Sequence, residues 1–233
     1  MNLNGIKLTW LGHATFRMET PGGKILLVDP WVMGNPMCPE KDRKLNKIDV
    51  MLCTHGHFDH IGDAVELAKN HHPTVVCIAD MAHWLEKKGV ENVSSMNKGG
   101  TQAVADITVT MVHADHSCGI KDGDEIIYGG EAAGYVIQFA NGIKIYHAGD
   151  TNVFGDMAII RDLYMPEIVM LPIGDHYTMS PREAAYAVNL LKPKTVIPMH
   201  FGTFPILAGK PSELQKLVPS VEVIEMKPGV TVS

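Results

Sequence analysis

Apolar residues along the chain follow two periods, and the period changes where the elements change. Near the N-terminus, IKLTWL, ATFRMET and KILLVD read as extended segments, with Pro21-Gly22-Gly23 turning the second into the third, which predicts an antiparallel meander. Residues 50–53 form a short continuous apolar run, the pattern of a strand buried on both faces. Directly after it, Ile61, Ala64, Val65 and Ala68 fall at helical spacing, so residues 50–70 predict a strand, a loop and a helix. Further buried strands are expected at 108–112, 135–139, 143–146, 168–171 and 195–198. Two later helices carry start signals. Ser180-Pro181-Arg182-Glu183 sets a capping hydroxyl, a proline at the first helical position and a glutamate at the third ahead of Ala184, Val188 and Leu191. Ser212 with Gln215 predicts a second capping box before Leu214, Leu217 and Val218, with Pro219 stopping that helix. Runs of strands with helices interspersed predict a mixed α/β (α+β) fold with two sheets.

Five of these strands end in His or Asp as the apolar run stops: VMLCTHGH, TVTMVHADH, IKIYHAGD, IVMLPIGD and TVIPMH. Strands running the same way bring such ends to one edge of the core, where α/β folds place ligands. The strongest local pattern is Thr54-His55-Gly56-His57-Phe58-Asp59-His60. His55 and His57 stand two apart at a strand end, so both rings fall on one side, while Asp59 and His60 face a second point where the chain turns into the helix. This spacing supplies two ligands to each of two metals.

Composition narrows the setting. The 12 histidines among 233 residues are more than an ordinary soluble chain carries, whereas 45% hydrophobic and 20% charged residues are ordinary for a globular protein. A net charge of −6 gives no basic footprint for nucleic acid. No apolar run approaches the ~18 residues of a membrane helix, and the polar start lacks a signal peptide, so a cytoplasmic protein without a membrane partner is expected. Cys38, Cys53, Cys77 and Cys118 are scattered without CxxC spacing and read as reduced thiols. With no linker or repeat, residues 1–233 are expected to form one domain, large enough to bury a core without a metal staple; a metal here would serve chemistry.

HxHxDH after a buried strand resembles the metallo-β-lactamase-fold hydrolases, whose further motifs are an upstream Asp, a third His, a bridging Asp and a final His. Asp29 in LLVDPW, His116 in VHADHS, Asp150 in YHAGDT and His200 in IPMHF match them in order. The words WLGHATF, PIGDHYTMSP and MHFGTFP resemble the branch that includes ascorbate-phosphate lactonase, N-acylphosphatidylethanolamine phospholipase D and many small metal-dependent hydrolases of bacteria and archaea. The resemblance implies a four-layer αβ/βα sandwich with two divalent transition metals in a cleft along one edge, zinc foremost and manganese, iron, cobalt or nickel as alternatives. It implies His55, His57 and His116 on one metal, Asp59, His60 and His200 on the other, and Asp150 bridging. A metal-bridging hydroxide would then cleave a small ester, lactone or phosphoester. A nuclease or phosphodiesterase acting on RNA or DNA, and an iron-dependent redox protein or metal sensor, are the alternatives on such a fold.

The other histidines are sorted by position. His113 competes with His116 as third ligand and otherwise hydrogen-bonds a ligand from behind. Asp29 is expected to support a ligand histidine, or else to form an Asp-Pro turn. His176, after a buried strand, is a candidate acid for a leaving alkoxide. His13 suits core and cleft equally, His147 reads as structural, and His71, His72 and His83 as solvated. The pocket is expected from loops 31–39, 118–130 and 201–209. Whether the chain forms a homo-oligomer is left open.

Overall fold

A computed structural model describes residues 3–233. Seven strands form the first sheet: β1 (Lys7–Trp10), β2 (Phe16–Glu19), β3 (Ile25–Val28), β4 (Val50–Leu52), β5 (Thr74–Ile78), β6 (Val93–Met96) and the C-terminal β16 (Thr231–Val232). Its order is β16-β1-β2-β3-β4-β5-β6. The predicted meander is its antiparallel half, and from β3 to β6 the strands run parallel. The second sheet has the order β15-β14-β13-β12-β11-β8-β7. Its strands are β7 (Thr101–Val104), β8 (Ile107–His113), β11 (Ala133–Phe139), β12 (Lys144–His147), β13 (Ile168–Pro172), β14 (Thr195–Met199) and β15 (Glu222–Val223). A separate hairpin, β9 (Gly119–Asp122) and β10 (Glu125–Tyr128), stands beside them.

Alternation along the second sheet explains the layers. Val109, Met111, Tyr135, Ile137, Ile145, Met170 and Ile197 point inward and share one apolar core with the first sheet. Their neighbours Val112, Val136, Tyr146, Val169, Leu171 and Val196 point outward, into a second core. That second core is closed by α5 (Met157–Tyr164), α6 (Pro181–Leu191) and α7 (Pro211–Leu217). On the far side, α3 (Ala64–His71) and α4 (Ala79–Lys87) add Ala64, Leu67, Met81 and Leu85 to the first core. Two short helices, α1 (Glu40–Arg43) and α2 (Phe58–Ile61), lie in loops. The result is the expected sandwich of helices, sheet, sheet and helices. The strands read as continuous apolar runs because both faces are covered.

Ser180 caps α6 as expected, with the reciprocal Glu183 bond in place. The second box is corrected. Helix α7 begins two residues earlier, at Pro211 with Lys210 in the cap position and no side-chain cap, and Gln215 is used elsewhere. Its amide donates to the carbonyls of Val218 and Val221 and accepts from Val223 N, so it secures the chain after the helix. All four cysteines are free and buried. Among the described residues, no helix is long and apolar enough to cross a membrane.

The topology fixes where chemistry gathers. Strands β8, β12, β13 and β14 run the same way, since β8 and β12 each pair antiparallel with β11 and the rest pair parallel. The loops after these strands bring in His116, Asp150, Asp175 and His200, while those after β1, β3 and β4 bring in His13, Asp29 and the His55–His60 run. Tyr135 ties the sheets beneath this edge: its hydroxyl donates to the carbonyl of Cys53 (2.8 Å), with that of Val76 at 3.2 Å.

Candidate metal centre

Asp150 lies at the middle of the edge. Its Oδ2 is 2.9 Å from His200 Nε2, 3.3 Å from His60 Nε2, 3.7 Å from His116 Nε2 and 3.9 Å from His55 Nε2. Around it the donor atoms fall into overlapping groups, each with all atoms within 4.8 Å of one another: His55, His57 and His116; His55, His60 and Asp150; and His13, Asp59, His60 and His200. The seven residues expected as ligands are thus brought together, and His13 joins them.

Hydrogen bonds outside these groups assign the imidazole tautomers. Asp29 accepts from Thr54 N (2.8 Å) and from the Thr54 hydroxyl (2.8 Å), and His60 Nδ1 donates to it at 2.7 Å. Because the Thr54 hydroxyl is already donating, the 3.0 Å contact of His55 Nδ1 with Thr54 Oγ1 requires the proton on His55 Nδ1. His55 and His60 therefore both keep a proton on Nδ1 and turn Nε2 toward Asp150. Asp29 adopts φ +49°, a left-handed conformation that Asp tolerates better than most residues, and turns its carboxylate beneath both histidines. It thereby holds His60, one of the histidines that the resemblance names.

The donor set fits a bound cation. His60 Nε2, both nitrogens of His200 and Asp150 Oδ1 are buried without a hydrogen-bond partner, although two of these nitrogens lie within 3.3 Å of Asp150 Oδ2. Buried polar atoms are ordinarily paired, and those left without protein partners point to an ion or water that supplies one. His57 adds a second sign. Its Nδ1 lies 3.0 Å from His55 Nε2, and its Nε2 lies 3.2 Å from the hydroxyl of Ser117. Two imidazole nitrogens 3.0 Å apart at the cleft are spaced as two donors to one cation between them would be.

Charge is tuned the same way. Burial, reinforced by neighbouring His60, holds His55 well below the usual histidine range. Burial also lowers His57 and His116, so these imidazoles keep their lone pairs at neutral pH. Burial opposes a charge on His60 as well, but Asp150 and Asp29 outweigh it and raise its proton affinity well above the ordinary value. Any cation at Nε2 meets the same two carboxylates. Asp150 itself is held far below the carboxylate range, because His200 and His60 overcome the cost of its burial.

His13 was equally at home in core and cleft by sequence, and it belongs to both. It is fully buried, with Nε2 3.0 Å from Asp59 Oδ2, Nδ1 2.9 Å from Thr203 Oγ1 and its ring centroid 3.9 Å from that of His200. Burial and the nearby His200 lower its pKa to about 4. His13 (φ +56°) and His200 (φ +55°) are left-handed, and the His200 amide donates to the His13 carbonyl, so the two loops are locked together. The sequence carried a signal for this: LGH follows β1 in the pattern of a strand closing on His or Asp that the other five ends show.

Two expectations are corrected. His113 ends β8 but is exposed, with its ring edge on Phe154 and Nδ1 3.3 Å from Lys98 Nζ, so it supports no ligand; the turn from Ala114 to His116 carries the second candidate inward instead. His176 is also exposed. Both Asp175 (φ +65°) and His176 (φ +58°) are left-handed, and this turn lays His176 against Tyr177 while Tyr177 reaches the cleft. His147 is structural, its Nε2 donating to the carbonyl of Ala14 at 3.0 Å.

A cleft of about 720 Å³ opens over the cluster. Its floor holds His57, Asp59, His116, Asp150 and His200, and its walls include Phe58, Ile126, Tyr177, Phe204, Ile206 and Leu207. Of the loops expected to form the pocket, 118–130 and 201–209 line it, whereas 31–39 does not. Instead Trp31, 5% exposed, backs the site from behind, its ring edge-on to His13 and Phe58.

Residues 24–201 match the family model of the beta-lactamase superfamily domain. A UPF0173 metal-dependent hydrolase of Koribacter versatilis is 68% identical over 231 residues, covering 99% of each chain. One of Methanosarcina barkeri is 46% identical over 231 residues, covering 98% of each. Among solved structures, Igni18, a metallo hydrolase from Ignicoccus hospitalis, superimposes with a TM-score of 0.86 at 35% identity, with 97% of each chain covered. The fold, the imidazole-rich edge and these relatives agree, and the chain belongs to the UPF0173 metal-dependent hydrolases of the metallo-β-lactamase superfamily.

Proposed function

We propose that the edge cluster is a dinuclear hydrolytic centre in which His55, His57 and His116 hold one divalent transition metal, Asp59, His60 and His200 hold the other, and Asp150 is shared. The observation that carries this reading is Asp150 Oδ2, a single oxygen within 3.9 Å of four imidazole nitrogens. Zinc suits these donors best, with manganese, iron, cobalt and nickel as alternatives. Such a metal pair, when bound, activates water as a nucleophile and polarises the bond under attack.

The chain's own residues do the rest. Asp29 fixes His60 directly and His55 through Thr54, so two donor atoms are oriented by one carboxylate. Ser117 holds His57 from the opposite side. The apolar walls leave the floor open from one direction and keep bulk water from the rest of the substrate. A small ester, lactone or phosphoester suits a cleft of this size, and the names of the relatives support hydrolysis as the reaction class. The inner faces of both sheets share one core, which supports reading the chain as a single domain. Lys121 is the only Lys or Arg among the described residues lining the cleft, which weighs against a nucleic acid substrate.

The test is reconstitution of the purified protein separately with zinc and manganese. Metal content per chain is measured alongside a screen of lactones, phosphodiesters, phosphomonoesters and thioesters. About two tightly held metals and turnover of at least one class are expected. A folded, fully metallated chain that hydrolyses none of them overturns the reading.

A further inference from the structure

The wall of the cleft divides its chemistry unevenly. Residues paired directly across an antiparallel ladder share a face, so in the β9–β10 hairpin Lys121 lies beside Ile126, and Gly119 beside Tyr128. The opposite face holds Ile120 with Ile127 and Asp122 with Glu125. That back face is anchored. Ile120 is buried in the main core, and Asp122 accepts from Trp84 Nε1 at 3.0 Å and Lys88 Nζ at 2.7 Å, which pins the hairpin to α4. The front face is presented to the cleft and to solvent, with Ile126 73% and Tyr128 70% exposed.

On this front face Lys121 is the only charge, and it has no hydrogen-bond or ion-pair partner among the described residues. The acids of the same hairpin do not neutralise it: Asp122 is committed to α4, and Glu125 pairs with it on the back face. Elsewhere the lysines that face carboxylates are paired, as Lys7 with Glu19, Lys88 with Asp122 and Lys194 with Glu167. An unpaired ammonium thus stands on a wall that is otherwise apolar, with Phe58 (59% exposed) and Tyr177 (61%) also on the cleft. Large exposed apolar side chains gathered at a cleft mark a surface that a ligand covers. An ammonium set among them recognises a negative charge at the end of that ligand's apolar body.

We infer that the cleft takes an amphiphilic anion, with Lys121 pairing the anionic group of a substrate whose apolar body lies against Phe58, Ile126 and Tyr177. This inference rests on the hydrolytic reading only for the position of the scissile bond, which would sit over Asp150 at the floor. Carboxylate and phosphate satisfy the ammonium alike, and neither requires a further cation from the wall.

The test uses the metal-reconstituted protein and an uncleaved anilide pair, glutaric acid monoanilide and the neutral butyranilide, with binding followed by NMR titration. Wild type is expected to bind the anionic anilide roughly five- to tenfold more tightly, a preference that shrinks as salt rises. Lys121→Met should abolish the preference, Lys121→Glu should invert it and Lys121→Arg should keep it, all with unchanged metal content. Phenyl phosphate and benzoate, compared in the same variants, separate the two anion sources by which loses more affinity in Lys121→Met. Equal affinity for the two anilides in wild type, or a preference that survives Lys121→Met, overturns the inference. A preserved preference without turnover of any ester removes the hydrolytic reading and leaves the binding assignment standing.

Discussion

The two halves of the metal cluster are built differently. The His13, Asp59, His60 and His200 group lies deeper: its three histidines are buried although Asp59 and His200 reach the cleft floor, and two of the three rings are held by bonds made outside the group. Thr203 holds His13, Asp29 holds His60, and the His200 amide is tied to the backbone of His13. The group of His55, His57 and His116 has only its first member buried, and its outer two line the open cleft. One half is a socket fixed by protein. The other is a wall shared with whatever enters. On the proposed dinuclear reading, a rigid inner position and a more accessible outer one would let a substrate approach one side without disturbing the other.

The largest effect that would erase this difference is at the shared oxygen. Asp150→Ala should lower kcat/KM by about 10³-fold or more and reduce metal content below two per chain, because both halves lose their common carboxylate. Elemental analysis and steady-state rates check it, and an Asp150→Ala protein that keeps two metals contradicts the sharing. Next comes Asp29→Ala, which should weaken metal binding by roughly 10- to 100-fold, most at the deep half, since His60 loses its only anchor. Competition with a graded chelator measures this loss, and equal weakening of both halves would contradict the contrast drawn here. His57→Ala should empty the outer position while the inner one stays filled, giving about one metal per chain.

Acidification separates the halves in another way. In chelator-treated protein, burial holds His13 at about 4 and also lowers His55, His57 and His116. The unfolded chain, with histidines near the ordinary ~6.5, takes up protons first, so stability is full above about pH 6.5 and falls as pH drops toward 4. His60 acts in the opposite sense, gaining its proton in the folded state first, and its contribution is lost as pH rises through its elevated value. Denaturant unfolding at pH 7, 5.5 and 4.5 should give a net loss on acidification, shallower in His13→Gln. A flat profile rejects the burial argument. The smallest effect belongs outside the cluster: His113→Ala should change stability by less than about 0.5 kcal/mol and metal content not at all.

Much of this could be read before any coordinates. HxHxDH after an apolar run placed four candidate ligands, because a strand end fixes the direction of its next few residues. Asp150 and His200 followed from the same rule applied to other strands. The layers were readable too, since apolar runs without alternation require cover on both faces. The rule failed where backbone torsion, and not position, decides direction. The left-handed turn at Asp175 and His176 sends that imidazole outward, and the left-handed His13 sends its ring inward against Asp59. Torsion signs of this kind are invisible in residue order unless glycine announces them. The resemblance alone prefers His116 to His113, for a related reason: two residues of turn separate them, and only the closed fold says which ring faces Asp150.

One consequence follows from the hydroxyl of Tyr135, which joins the two sheets just under the edge. His55 through His60 descend from one sheet, whereas His116, Asp150 and His200 descend from the other. A cation held by both sets is therefore a clasp across the seam, and a ligand that binds only the closed seam stabilises it in proportion to its free concentration. On the proposed ligand set, metal supply and mechanical closure of the sandwich would become a single quantity: a chain starved of metal would also be one whose two halves part more readily at this edge.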